Sequence, residues 1–211
     1  MTRVLLADDH PLFRQALRAV ITREHPQLEF SHADSLAAAK VMLARHNDVV
    51  LVMLDLKMSD CSDFAGLLNL RGQFPHVPVV VVSSSSDAST ISRAMAFGAA
   101  GFIPKSSNRA DIARAVSTVL AGERWAPPAS NVMPMPEIVK SVALLTPAQL
   151  QILMGLKRGL RNKEIAHEMG VTEKTVKAYT TTMYRKLGVT SRTQALIAVQ
   201  TLTAGTEIIS S

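Results

Sequence analysis

Five polar residues follow directly on runs of apolar and β-branched sequence: Asp8 and Asp9, Asp55, Ser83 and Lys105. Carboxylates gathered at one point repel one another and raise at least one pKa unless a cation neutralises them. With oxygen donors alone on offer, the expected cation is Mg2+, which keeps several waters and takes one or two carboxylates. Beside such an ion Asp55 has the makings of a nucleophile toward phosphorus. The metal and the Lys105 ammonium would balance charge on the phosphoryl oxygens, and Ser83 would donate a hydrogen bond to one of them. Each residue also has an ordinary explanation when taken singly. Asp9 could cap a helix opening at His10-Pro11, Asp55 could cap a loop, Ser83 could be one turn residue among Ser83 to Ser86, and Lys105 could be a surface charge. Their joint placement after four different strands favours a single site.

The elements that must position these groups alternate. Strands are expected at 3–7, 28–32, 49–54, 78–82 and 101–103, and helices near 12–22, 36–45, 64–73, 89–97 and 109–120. Five such units imply a parallel sheet with helices on both faces, because each parallel return needs a crossover. The third and fourth strands are almost wholly apolar, as central strands buried on both faces should be. In open sheets of this doubly wound α/β class, ligands bind at the carboxyl ends of the strands, which is where all five polar residues fall.

Residues 1–121 therefore form one domain. Residues 122–143 hold Pro127, Pro128, Pro134 and Pro136 with no clear period, and are expected to be a linker without regular structure. From 144 to 203 the pattern is helical throughout. Thr146-Pro147 opens a helix to Lys157, residues 162–169 form a second, Thr172 caps a third over 173–187, and Ser191 caps a fourth to about Leu202. Residues 204–211 are a tail.

The second and third of these helices, joined by Gly170-Val171, read as helix, turn, helix, with Ile165, Ala166, Met169, Val171 and Val176 in the angle between them. Lys174 and Lys177 share one face of the third helix near its amino end, a position from which basic residues reach phosphates or guanine edges. A small helical bundle with a solvated Lys/Glu surface would look similar.

Charge supports a polyanion-binding second half. The chain carries 23 Lys+Arg and 17 Asp+Glu, a formal charge of +6, divided as 13 basic against 12 acidic through Trp125 and 10 against 5 beyond it. Cys61 is the only cysteine, which excludes an intrachain disulfide and a cysteine-built zinc site and fits a reducing compartment. The apolar runs are strand-length, so a soluble, cytoplasmic protein is expected. The six histidines show no ligand spacing, and His10 is read as a first-turn polar residue. Trp125 is expected to pack on a domain surface and Cys61 to be an incidental small side chain. No further catalytic constellation points to a conventional enzyme.

The strings Val4-Leu5-Leu6-Ala7-Asp8-Asp9-His10, Met53-Leu54-Asp55-Leu56-Lys57-Met58, Val82-Ser83-Ser84 and Gly101-Phe102-Ile103-Pro104-Lys105 closely resemble the receiver domain of two-component response regulators. The resemblance implies sheet order 2-1-3-4-5, Asp55 as phosphoacceptor, Mg2+ held by Asp8, Asp9, Asp55 and the Lys57 backbone carbonyl, Ser83 and Phe102 as switch residues, and a sensor histidine kinase as phosphoryl donor. Leu145-Thr146-Pro147, Gly159-Leu160, Asn162-Lys163-Glu164-Ile165-Ala166, Thr175-Val176-Lys177 and Arg185-Lys186-Leu187-Gly188-Val189 resemble the LuxR-type domain of the NarL/FixJ class. That second resemblance implies a four-helix domain and recognition of promoter DNA by Lys174, Thr175, Lys177, Ala178, Thr181 and Arg185. It also implies a homodimer formed through the last helix.

The chain departs from both patterns. Ser59-Asp60-Cys61-Ser62-Asp63 stands where proline and then glycine are usual, so the loop beside Asp55 is expected to change shape and gain negative charge. Ala148-Gln149 replaces a common Arg-Glu pair, and Tyr179, Thr180 and Thr181 take places often more basic, which should lower the salt slope of DNA binding. The reading is a phosphorylation-controlled transcription regulator. Its rivals are a phosphorylation-independent DNA-binding regulator and a phosphoryl sink or adaptor that binds no DNA.

Overall fold

The computed structural model describes residues 2–127 and 135–203. The expected tail, residues 204–211, lies outside the described residues, as does the middle of the expected linker. The chain order is β1(Arg3–Ala7), α1(Pro11–Glu24), β2(Glu29–Ala33), α2(Leu36–Arg45), β3(Val49–Asp55), β4(Lys57–Met58), β5(Cys61–Ser62), α3(Ala65–Gln73), β6(Val79–Ser83), α4(Ala88–Ala96), β7(Gly101–Pro104), α5(Arg109–Leu120), α6(Glu137–Ala143), α7(Pro147–Lys157), α8(Asn162–Met169), α9(Glu173–Leu187) and α10(Arg192–Thr203).

The main sheet is parallel with strand order β2-β1-β3-β6-β7, which is 2-1-3-4-5 once the small antiparallel β4-β5 hairpin is set aside. Side-chain alternation divides its core cleanly. Leu5, Val52, Leu54, Val79, Val81 and Phe102 face α2, α3 and α4, while Val4, Leu6, Leu51, Met53, Val80, Val82 and Ile103 face α1 and α5. Trp125 is partly buried against the second of these layers. Its backbone extends the sheet past β7, with Trp125 N donating to Ala100 O and Phe102 N donating to Trp125 O, each at 3.1 Å.

Two expectations need correction. The expected linker contains a helix, α6, whose Val139 and Val142 are buried among the C-terminal helices. The prolines that masked it stand before it: Pro136 is the N-cap, and a helix tolerates proline at its start because the first N–H groups have no intrahelical acceptor. The altered loop after Asp55 is also ordered differently from expectation. The Asp60 carboxylate accepts from Leu36 N at 2.8 Å and Ala37 N at 2.9 Å, so its charge is spent at the amino end of α2. Asp63 adopts φ 54°, the left-handed conformation that glycine would otherwise supply and that aspartate tolerates better than most residues.

The C-terminal helices pack around α7. Thr146 and Gln149 close a capping box at its start, and Gly170 and Gly188 end α8 and α9 at φ 64° and 67°. Leu150, Ile152, Leu153, Met154 and Leu156 of α7 are all buried. A helix apolar around its whole circumference must be covered on every side. Helices α8, α9 and α10 cover part of α7, and α3 of the first domain covers the rest.

Candidate functional site

The sheet's carboxyl edge brings the predicted polar groups together. β1 ends at Ala7 and β3 at Asp55, and these central, neighbouring strands deliver Asp8 and Asp55 side by side. Asp8 and Asp55 are 2% and 4% exposed. The Lys105 ammonium, one residue past β7, bridges them at 2.8 Å from Asp8 Oδ2 and 2.7 Å from Asp55 Oδ2. Burial works against the charged lysine, but its hydrogen bonds and charge pairing with Asp55 and Asp8 outweigh this and raise its pKa. The Phe13 ring lies 4.8 Å beneath the ammonium and adds a further favourable contact.

One cation does not satisfy this cluster. Asp8 Oδ2 and Asp9 Oδ1 are shielded from solvent, with Lys105 Nζ 2.8 Å from the first and His10 Nδ1 2.7 Å from the second. Ligating atoms of Asp8, Asp9, His10 and Asp55 all fall within 4.8 Å of one another. Hard oxygen donors with unfilled acceptor capacity, in a pocket short of positive charge, fit a divalent cation. Asp8, Asp9 and Asp55 are the residues that would hold it.

His10 stands at the N-cap of α1, beside the carboxylates. Its Nδ1 lies 3.1 Å from Asp8 Oδ1 and 2.7 Å from Asp9 Oδ1, and its backbone N–H donates to Asp8 Oδ1 at 2.8 Å. Arg14 donates to the Asp8 carbonyl and fixes the start of α1 beneath the site.

Ser83 ends β6 and is buried, with its hydroxyl accepting from Ser85 N at 3.1 Å. Phe102 is fully buried in the layer facing α2 to α4. Lys57 N donates to Asp55 Oδ1 at 3.1 Å, which ties the first residue of the β4-β5 hairpin to the candidate phosphoacceptor. Asp60 and Asp63 are not members of the ligand cluster. Cys61 is buried, and desolvation chiefly, with the Asp60 charge second, pushes its thiol pKa to about 11, so it is neutral and unreactive at ordinary pH.

In the helical part, α9 presents Lys174, Lys177, Ala178, Thr181 and Arg185 to solvent, with Thr175 half-buried. Thr175 N donates to Thr172 Oγ1 at 3.1 Å, which fixes the amino end of the helix. Lys177 pairs with Glu173 at 3.0 Å. The Thr180 hydroxyl donates to Val176 O at 2.8 Å and the residue is half-buried, whereas Tyr179 and Thr181 are exposed. An open cleft of about 590 Å3 between the start of α8 and α9 adds Arg161 and Lys163 to the basic surface; their place before the turn gave no helical-face signal.

Gln149 also differs from expectation. It is 4% exposed, and its amide donates to Thr182 Oγ1 at 3.0 Å while its oxygen accepts from Lys186 Nζ at 2.9 Å. The residue ties α7 to α9 from inside the domain, so its neutral side chain does not lower the salt slope by removing a surface charge.

This pairing of a carboxylate pocket with an exposed basic helix matches known proteins along nearly the whole chain. Residues 4–117 match the response regulator receiver domain, and residues 143–199 match the LuxR family of bacterial regulatory proteins. The chain belongs to the LuxR-type response regulators. It is 36% identical to the glycerol metabolism activator of Pseudomonas putida, over 94% of this chain and 95% of that one. A LuxR family DNA-binding response regulator from Silicibacter pomeroyi shares 30% identity and a TM-score of 0.52, covering 60% of this chain and 97% of the other. RcsB of Salmonella enterica serovar Typhimurium, solved on promoter DNA with the phosphomimetic BeF3-, shares the fold at a TM-score of 0.55 and 19% identity, over 96% and 99% of the two chains. The regulator is therefore a DNA-binding transcription regulator of a two-component system rather than a conventional enzyme. Among the described residues no helix is long and apolar enough to cross a membrane.

Proposed function

We propose that this regulator accepts a phosphoryl group on Asp55 from a sensor histidine kinase, and that the modified form dimerises and binds promoter DNA in the cytoplasm. Lys105 carries the reading: a single ammonium bridges Asp55 and Asp8 in a pocket that also gathers Asp9. An Asp55 oxygen attacks phosphorus while the bond to the donor nitrogen breaks and the kinase histidine keeps the electron pair. A bound Mg2+ would supply charge neutralisation at the phosphoryl oxygens. Lys105 stabilises the same charge from the other side, and the Lys57 backbone carbonyl would be a further ligand to the ion.

Ser83 and Phe102 are the residues we assign to sensing the phosphoryl group. Ser83 stands at the end of the strand beside Asp55, and Phe102 lies on the neighbouring strand. Residues 1–121 form the receiver and 144–203 the DNA-binding domain, with Lys174, Thr175, Lys177, Ala178, Thr181 and Arg185 entering the major groove. Exposed Ile197 on α10 supplies apolar surface for a dimer contact.

The test is recovery of genomic fragments with and without a small phosphodonor and Mg2+, for the wild type and Asp55→Ala. Phosphodonor-dependent enrichment lost in Asp55→Ala is the expected result. Equal enrichment in every condition would overturn phosphorylation control and leave DNA binding standing; no enrichment in any would overturn both.

A further inference from the structure

The pocket at the carboxyl edge of the sheet includes one ligating atom that is not an oxygen. His10 Nδ1 lies 2.7 Å from Asp9 Oδ1 and 3.1 Å from Asp8 Oδ1. The His10 backbone N–H already donates to that same Asp8 oxygen at 2.8 Å. A ring nitrogen carries at most one N–H, which cannot point straight at two carboxylates, so donation accounts for one of these approaches and not for both. Two ligands of a single ion meet the same distances. Ligands bound about 2.0 to 2.1 Å from an octahedral ion stand about 2.9 Å apart along an edge. The 2.7 and 3.1 Å separations bracket that edge. Ligating atoms of Asp8, Asp9, His10 and Asp55 all fall within 4.8 Å of one another, so the imidazole belongs to the cluster itself.

Nothing else in the fold occupies this ring. His10 is the N-cap of α1, yet its side chain makes no capping hydrogen bond, and Pro11 takes a first-turn position where no N–H is needed. The His10 side chain is 68% exposed while that of Asp8 is 3% exposed, so the ring stands on the solvent side of carboxylates that lie deeper. An all-oxygen site would keep a water there. His10 and Lys105 address different oxygens of Asp8, Oδ1 and Oδ2, so the imidazole and the ammonium do not compete for one atom.

We propose that His10 supplies a nitrogen ligand to the cation held by Asp8, Asp9 and Asp55, in place of one water. The inference rests on the cation reading above and deepens it. Protonated on Nε2, the ring offers its Nδ1 lone pair to the ion. An imidazole adds little to the binding of Mg2+, a hard ion that favours oxygen, and adds more to borderline ions such as Zn2+ and Fe2+. His10 therefore shifts the selectivity of this pocket, which answers to the supply of a borderline cation as well as to Mg2+.

The test uses the full chain labelled with 15N-histidine, titrated with Zn2+ and separately with Mg2+, and read by long-range 1H–15N correlation spectra. The chain has six histidines, and His10→Asn assigns the signals of His10 by their loss. Asparagine keeps an N–H donor for the aspartates, but its amide nitrogen has no lone pair to give a metal, so it separates ligation from hydrogen bonding. One equivalent of Zn2+ should move His10 Nδ1 to the metal-bound range. His10→Asn should weaken Zn2+ binding roughly tenfold or more, since loss of even an outer partner of a metal site costs that much. Mg2+ affinity should change far less. Asp8→Asn and Asp9→Asn should weaken both ions. Zn2+ binding that depends on the aspartates while His10 Nδ1 stays unshifted overturns the ligand role and leaves the carboxylate cation site standing. Equal losses for Zn2+ and Mg2+ in His10→Asn overturn the shift in selectivity. Binding of both ions that neither aspartate substitution weakens overturns the cation site itself.

Discussion

Lys105→Met tests the electrostatics of the candidate site directly, because it removes one ammonium from two carboxylates at once. Asp8 and Asp55 are nearly fully buried and pair with Lys105 Nζ at 2.8 and 2.7 Å, so its loss leaves both without their shared counter-charge. Removing one partner of a buried pair costs about 3 to 5 kcal/mol. The lysine side chain itself is 19% exposed at the rim, which favours the lower end. A loss of about 3 kcal/mol corresponds to a fall in Tm of roughly 6 to 12 °C for a chain of this size.

The assay is thermal unfolding in EDTA, followed by a Mg2+ titration. A divalent ion among Asp8, Asp9 and Asp55 replaces the missing charge, and at about 100 times its Kd it contributes about 2.7 kcal/mol by mass action. Mg2+ should therefore restore much of the lost stability. In an Asp55→Asn background the same lysine substitution should cost less but still something, because Asp8 still loses its partner. An unchanged Tm in EDTA, or a loss that Mg2+ leaves untouched, would refute the view that this cluster is held short of positive charge.

Gly155→Ala places a Cβ 2.8 Å from Ile165 Cγ1 at the buried α7 and α8 contact. Overpacking of about 1 to 3 kcal/mol outweighs the gain of about 1 kcal/mol in helix propensity, so the urea midpoint should fall; a midpoint that rises refutes the packing argument. Cys61 has its pKa raised from 9.0 to about 11, so the fold favours the neutral thiol. The stability this provides is complete below pH 9 and is lost as pH rises through 11, amounting to roughly 2 to 3 kcal/mol. Urea unfolding at pH 8 and pH 10.5 should show a smaller alkaline loss in Cys61→Ala than in the wild type, and equal losses would contradict the assignment. Lys177→Ala should weaken DNA binding and lower the salt slope by about one. Glu173→Gln, which removes the carboxylate 3.0 Å from Lys177, should strengthen binding at low salt, and weaker binding would show that Glu173 positions the lysine for DNA.

The alternation of apolar strands was legible because both faces of the central strands are buried, so Val49 to Leu54 and Val79 to Val82 have no polar interruption to blur the pattern. Once those strand ends are placed, the convergence of Asp8, Asp55 and Lys105 follows from topology. The features that escaped depend on partners distant in sequence. Asp60 looked like added charge at the site because nothing local shows that it caps α2 from 24 residues away. Gln149 looked like a lost surface charge because its partners Thr182 and Lys186 lie in a different helix. Helix α6 was obscured by local composition, since prolines before a helix carry the same local signal as prolines in a linker.

The sequence of α7 shows how such long-range information can still leave a trace. Leu150, Ile152, Leu153, Met154 and Leu156 cover more of the helix than the face needed for a four-helix domain, and Gly72, far upstream, is small where a helix would gain from a larger residue. An apolar excess on one element and a glycine within another are weak signals apart. Together they are what a close crossing between two domains requires.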